Sequence, residues 1–313
     1  MIDPNFLKDV DEGLSSNPKY LLSKYFYDDK GSELFIQIMN LPEYYLTKAE
    51  FEIFSQKSNE IIEAIGDSRF NIIELGAGDG MKTREFLKAI EEKGIATKYF
   101  PIDISGDVLD QLEKNVKELV PSQLIEPHEG DYFLELEKVY SSDIKEVVLF
   151  LGANIGNYTK EKAIQLLQLI GEKIKKGDIL LLGVDLMKSP AMIASAYNDS
   201  QGVTKAFNLN LLERINREMA ADFHINKFEF YSHYNPLSGE VRSFLVSLME
   251  QVVDVPAIKK SFSFSKNELI YTELSKKYSV DDINELASAA GFKLSKMITD
   301  NNSYFAECIL LKI

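Results

Sequence analysis

The rhythm of apolar and polar positions changes twice along this chain. Up to about residue 65, apolar side chains recur at helical spacing. SELFIQIMN (32–40) and TKAEFEIFSQKSNEIIEAI (47–65) carry that period and predict helices. Thr47 is the candidate N-cap of the second. From Phe70 the pattern becomes short apolar runs, each followed by an amphipathic stretch. FNIIELGAGDG reads as a buried strand running into a tight loop. MKTREFLKAIEEKG reads as a helix stopped at Gly94. KYFPIDIS, SQLIEPHEGDYF, VVLFLGANIGN and ILLLGVDL read as four further strands. DVLDQLEKNVKELV and KEKAIQLLQLIGEKIKKGD, which ends near Gly177, read as helices between them. Strands alternating with helices predict a parallel sheet covered on both faces.

After about Leu186 the alternation stops. Residues 189–222 read as helical, and 226–277 hold period-two stretches such as KFEFYSHY and VRSFLVSLME, which predict antiparallel strands. The tail returns to a helix, VDDINELASAAG, followed by a closing strand pair, FKLSKMITD and YFAECILLKI. The predicted organisation is a helical part (1–60), an α/β core (61–187), an inserted α+β subdomain (188–277) and a C-terminal helix with strands that complete the core sheet (278–313).

Composition narrows the function. With 45% hydrophobic and 27% charged residues, the 313-residue chain is an ordinary globular one with enough length for one large or two smaller domains. No run approaches the ~18 apolar residues of a membrane helix, and MIDPNFLKDVDEGL lacks the basic and apolar regions of a secretory signal. One cysteine, Cys308, excludes an internal disulfide and fits the cytoplasm. The net charge of −14 disfavours nucleic acid as a partner. Nothing resembles a coiled coil, so a monomer is expected.

The sharpest local signal is Glu74-Leu75-Gly76-Ala77-Gly78-Asp79-Gly80. Glycines let the backbone turn sharply and approach a ligand closely, and an open α/β sheet binds ligands beyond the carboxyl ends of its strands. The spacing is GxGxG, not the GxGxxG of dinucleotide sites. An acid precedes it, and the second strand ends in Asp103, where methyltransferases of this class hold the cofactor's ribose. Asp131-Tyr132 fits an adenine pocket, the carboxylate accepting from the exocyclic amine and the ring covering the base. These features read as an S-adenosylmethionine-binding core. A nucleotide-dependent oxidoreductase and a non-catalytic Rossmann domain are the alternatives. His128, His224 and His233 show no metal-ligand spacing, so no metal is expected. A hydrolase triad lacks its GxSxG elbow.

Several longer segments resemble the histidine Nα-methyltransferase family of ergothioneine biosynthesis. They are KYFYDDKGSELF (24–35), LPEYYLTKAE (41–50), IELGAGDGMKT (73–83), FPIDIS (100–105), GDYF (130–133), FLGANIGN (150–157), 196–223 and YTELSKKY (271–278). The resemblance implies a Rossmann-like class I methyltransferase core with an α+β substrate-binding subdomain. It implies cofactor contacts at Tyr27, Gly76, Gly78, Lys82, Asp103, Asp131 and Tyr132. It also implies an amino-acid pocket at Tyr44, Asn157, Tyr197, Glu273 and Ser275, of which Tyr44, Asn157 and Tyr197 would serve catalysis. Tyr44 is chosen over its neighbour Tyr45 by its spacing to Tyr27. Glu273 and Ser275, two apart on a strand, share a face and could grip the two imidazole nitrogens. One position departs from the family: Ser243 stands where the histidine enzymes carry a methionine lining the pocket. The expected reaction is methylation of the α-amine of L-histidine, up to three times. The alternatives are another amino acid or small amine, or a cofactor-binding module without activity.

Overall fold

The computed structural model describes residues 2–140 and 143–313. They form two compact units, each built from segments far apart in sequence. One joins residues up to Tyr45 with Lys188–Ser275. The other joins Leu46–Met187 with Lys276–Ile313.

In the second unit the apolar runs become the strands of one sheet. These are β1 (Phe70–Leu75), β2 (Lys98–Asp103), β3 (Lys145–Phe150), β4 (Ile179–Asp185), β5 (Phe292–Thr299) and β6 (Phe305–Lys312). β1 and β4 are buried at every position, as expected of strands covered on both faces. Each buried Leu, Ile or Val stabilises the fold by about 1.5–3 kcal/mol. A strand such as β4, with five aliphatic side chains at most 2% exposed, can therefore carry a buried acid at its end. The sheet order is β5-β6-β4-β3-β1-β2, with Leu124–Ile125 and His128–Glu129 pairing on β2 at the far edge. β1 to β4 run parallel, and β6 is antiparallel to both β4 and β5. The order reverses at β1, which has β2 on one side and β3 on the other. A crevice for a ligand opens at such a switch point.

The helices of this unit follow from the amphipathic stretches: α1 (Leu46–Ile65), α2 (Thr83–Glu92), α3 (Gly106–Leu119), α4 (Tyr132–Val139), α5 (Lys160–Lys173) and α6 (Val280–Ala289). α1 differs from the sequence-based division. Its apolar face, including Ile53, Phe54 and Ile61, is fully buried, and it packs on β5, β6 and α2. It therefore belongs to the sheet unit, although the division at residue 60 puts its first three turns and more with the N-terminal part and only its last residues with the core. Thr47 lies inside the first turn and does not cap it. The expected third strand survives only as the two short pairs on β2. Gly130 and Asp131 follow them, and Asp131 caps α4.

The first unit is α+β. Its four-stranded sheet runs Lys19–Tyr20, Leu269–Lys276, Glu240–Ser247, Phe228–Asn235. The helices Pro4–Ser15, Asp29–Asn40, Pro190–Tyr197 and Val203–Met219 complete it, with a separate hairpin of Gln251–Val255 and Lys260–Phe264. Its core gathers Phe6, Phe26, Leu211, Ile215, Leu245 and Ile270. Thr272 inside the sheet donates to Asn208 on the long helix at 3.0 Å.

Candidate active site

The glycine loop leaves β1 at the switch point. The N–H groups of Gly76 and Ala77 both donate to the Ile102 carbonyl, at 2.9 and 3.2 Å, and tie the loop to the end of β2. Gly76 has φ +70°, and a Cβ there would stand 2.9 Å from the Tyr132 hydroxyl. Gly80 has φ +69°, and a Cβ would stand 2.7 Å from Leu112 Cγ on α3. Both positions demand glycine. At Gly78, in contrast, a Cβ would meet nothing within 4 Å, so the loop borders open space.

Asp103 stands beside that space. Its Oδ2 accepts from the Gly78 N–H at 3.2 Å and its Oδ1 from the Ser105 N–H at 3.2 Å. Asp131 Oδ1 accepts from the N–H groups of Phe133 and Leu134 at 3.0 and 3.3 Å, capping α4. The cap fixes the carboxylate and aims Tyr132 at Gly76. Burial, then the charges of Asp103, Tyr158 and Asp131, pushes the Tyr132 phenol up to about 12. It therefore keeps its proton at neutral pH. Tyr158 belongs to the same cluster and was not among the expected site residues. It follows the FLGANIGN segment directly, and that adjacency was the available signal.

Glu74, the acid before the glycines, has an architectural task. It is 2% exposed. Its oxygens accept from Thr83 Oγ1 at 2.9 Å and Tyr99 Oη at 2.5 Å, which pins the starts of α2 and β2. Burial lifts its carboxyl to about 7, partly offset by Tyr99, Thr83 and Lys82. Lys82 sits at the N-cap of α2 and pairs with Glu50 of α1 at 2.5 Å. Burial alone would lower its ammonium, but Glu50, with Glu74 and Glu307 beyond, raises it above the ordinary lysine value.

Asn157 ends the short 3-10 turn Asn154–Asn157 after β3 and is exposed. The turn is wedged in place. A Cβ on Gly156 would stand 2.8 Å from the Lys276 carbonyl, and Tyr278 Oη donates to the Ile155 carbonyl at 3.3 Å. The neighbouring Lys277 forms a fully buried ion pair with Asp185 at the end of β4, at 2.7 Å.

In the α+β unit, Tyr197 Oη and Ser275 Oγ are hydrogen-bonded at 2.8 Å and buried. Burial, with the charges of Glu273 and Tyr197 beside it, raises the Tyr27 phenol well above its ordinary value. Tyr27 is nevertheless 49% exposed, so its ring is crowded by protein yet open to solvent. It packs edge-on against Phe35, which in turn packs edge-on against Tyr44, at 5.4 and 6.4 Å between centroids. Tyr45 is occupied otherwise: its hydroxyl accepts from Lys188 Nζ at 2.9 Å, with the ammonium 4.2 Å from its ring centre. Ser243 is 1% exposed, in the strand beside the one that carries Glu273 and Ser275.

Most of the expected residues fall in two sets, while Asn157, exposed at the end of its own turn, is placed in neither. Gly76, Gly78, Asp103, Asp131 and Tyr132 surround one loop of the sheet unit, with Lys82 at the start of the helix that follows. Tyr27, Tyr197, Glu273 and Ser275 form the other set in the α+β unit, linked to Tyr44 through Phe35. Bare loop backbone, open space at Gly78 and two carboxylates beside an aromatic ring suit a nucleoside with two ribose hydroxyls. The residues present fit S-adenosylmethionine. Among the described residues, no group of three or more His, Cys, Asp or Glu side chains is arranged to hold a metal ion. No helix there is long and apolar enough to cross a membrane.

Comparison with known proteins shows the family. Residues 6–312 match the family described as histidine-specific methyltransferase, SAM-dependent. A histidine N-alpha-methyltransferase of Mycolicibacterium smegmatis is 35% identical, the match covering 94% of this chain and 90% of that protein. One from Mycobacterium tuberculosis is 34% identical, over 97% of this chain and 94% of that protein. Among solved structures, a mitomycin 7-O-methyltransferase shares the fold with a TM-score of 0.50 and 10% identity. The match covers 92% of this chain, which spans only 59% of that one. By its sequence match over nearly its whole length, this chain belongs to the S-adenosylmethionine-dependent, histidine-specific methyltransferase family.

Proposed function

We propose that this protein transfers the methyl group of S-adenosylmethionine to the α-amine of L-histidine, up to three times, acting as a cytoplasmic monomer. The observation that carries the reading is the buried Tyr197–Ser275 hydrogen bond on the strand that also presents Glu273. Histidine offers three polar groups to such a site. The carboxylate of Glu273 accepts one imidazole N–H, and the Ser275 hydroxyl donates to the other nitrogen. Tyr44, Asn157 and Tyr197 orient the α-amine and α-carboxylate. The sheet unit supplies the cofactor contacts, Gly76, Gly78, Lys82, Asp103, Asp131 and Tyr132, and Tyr27 adds a ring to them.

The chemistry is an in-line displacement. The ammonium first gives its proton to water, because without a lone pair it cannot attack. The nitrogen lone pair then forms a bond to the methyl carbon while the carbon–sulfur bond breaks. Sulfur keeps the electron pair and becomes the neutral thioether of S-adenosylhomocysteine. Alignment of the reacting atoms is the main source of rate. Each methylation makes the amine group bulkier, and the third leaves a permanent cation. The rings of Tyr27, Tyr44 and Tyr197 suit that charge.

A second reading keeps the fold and chemistry but changes the amino acid. It is favoured by Ser243, which is smaller and more polar than the family's methionine. Purified protein incubated with S-adenosylmethionine and the standard amino acids, read by mass spectrometry, separates the two. Trimethylated histidine as main product supports the first reading. A different methylated amino acid supports the second. Absence of any product, with S-adenosylmethionine bound, refutes both.

A further inference from the structure

Two acids lie deep in the sheet unit, where the glycine motif gives no reason to expect them. Glu307 sits in the middle of β6 and is completely buried, and Glu50 on α1 is 2% exposed. They meet over Gly183 of β4, the residue that pairs with Glu307 across the sheet. A Cβ on Gly183 would stand 3.0 Å from Glu50 Oε1 and 3.2 Å from Glu307 Oε1. The missing side chain leaves the slot that both carboxyls occupy.

Glu50 is fully engaged with donors. Its Oε2 accepts from Lys82 Nζ at 2.5 Å and its Oε1 from the Gly152 N–H at 2.6 Å. Lys82 follows the glycine loop after β1, and Gly152 opens the loop after β3 that ends in Asn157. These are the two loops at the switch point of the sheet. Glu307, in contrast, finds no donor for either oxygen among the described residues, and its carboxyl faces that of Glu50. A carboxylate without exposure or donor is strongly disfavoured, and it is relieved by taking up a proton. Lys82 is the positive charge acting on Glu307 beside the like charges of Glu50 and Glu74, which further disfavour an ionised Glu307.

We propose that Glu50 and Glu307 share one proton over Gly183, with Glu307 as the donor, and that the pair positions Lys82 and the Gly152 amide through Glu50. The proton on Glu307 orients the Glu50 carboxylate. Glu50 then holds one group from each loop, so the cofactor loop and the Asn157 loop keep a fixed spacing. Burial and the Glu50 charge push the Glu307 carboxyl well above the usual range, in keeping with this assignment. Both are positioning residues, and the role rests on the reading of Lys82 as a cofactor contact.

Two measurements test the inference. The first is the infrared difference spectrum of wild type minus Glu307→Gln at neutral pH. Loss of a protonated carboxylic acid band is expected, and loss of an ionised carboxylate band overturns the proton assignment. The second is S-adenosylhomocysteine binding by calorimetry. Glu50→Gln turns an amide N–H toward Lys82 or Gly152, and should weaken binding about tenfold or more, as should Glu307→Leu. Glu307→Gln retains a neutral donor and should restore most of the affinity. A pair with a merely structural role would lower the melting temperature in these variants and leave binding unchanged. Weakened binding in Lys82→Met without any in Glu50→Gln overturns the inference alone. Unchanged binding in Lys82→Met overturns the Lys82 reading and the positioning role together, while the infrared result still decides the proton.

Discussion

The two site regions are specified in different ways. Around the glycine loop, backbone groups and buried acids do most of the holding. Gly76, Ala77 and Gly78 are fixed by the Ile102 carbonyl and Asp103, while Glu74 fixes the strand and helix on either side. In the α+β unit the candidate residues are side chains from distant segments, joined by an aromatic series and one buried hydroxyl pair. The first arrangement tolerates few substitutions and suits a ligand common to many enzymes. The second can be altered one side chain at a time, as a variable acceptor requires.

Substitutions should separate the two regions, beginning with the largest effect. Gly76→Val places a branched side chain at φ +70° and against the Tyr132 hydroxyl. S-adenosylhomocysteine binding should weaken by about 100-fold or more, as calorimetry would show. Retained affinity would mean that the ligand does not use this loop. Glu273→Ala should lower kcat/KM for histidine by about 100-fold while cofactor binding stays close to wild type. Full activity on histidine would remove the imidazole grip from the proposal.

Glu74 gives a pH test of the sheet unit. Its folded value, about 7, lies above the ordinary 4.5, so the folded state binds this proton more tightly than the unfolded chain. The stabilisation is complete below about pH 4.5 and is lost as pH rises through about 7, a change on the order of 3 kcal/mol. Denaturant unfolding of Glu74→Gln should show a shallower fall in stability between those pH values than wild type. An identical fall in both proteins would rule out Glu74 as its source. The smallest effect is expected from Ser243→Met. Competition between histidine and other amino acids should shift toward histidine by about tenfold at most, and an unchanged ratio would remove Ser243 from specificity.

The difference between the regions also explains what the sequence could reveal. The core strands were legible because a run such as Ile179–Asp185 is apolar nearly throughout. The glycine loop was legible because its spacing reports backbone shape. Asp131 was legible as an acid at a loop, but its capping of α4 depends on where that helix starts. Tyr44, Tyr197 and Glu273 came only from family resemblance, because side chains brought together from distant segments leave no local pattern. Glu50 and Glu307 were missed altogether. The available hint was an acid inside the apolar run FAECILL, which has no reason to be there unless it meets a partner. Lys277 and Asp185 escaped in the same way, since the chain between them builds most of the α+β unit.

The position of β6 bears on how the protein is made. This strand is the furthest along the chain, yet it lies inside the sheet between β5 and β4. The α+β unit likewise waits, since its segment up to Tyr45 is completed only by Lys188–Ser275. During synthesis neither unit can close while the ribosome still holds its later segment. β1 and β3 find their neighbours among residues 70–185, but β4 waits for β6 as its second neighbour, and such distant pairings form slowly. One edge of β4 therefore stays unpaired until residues 305–312 have emerged.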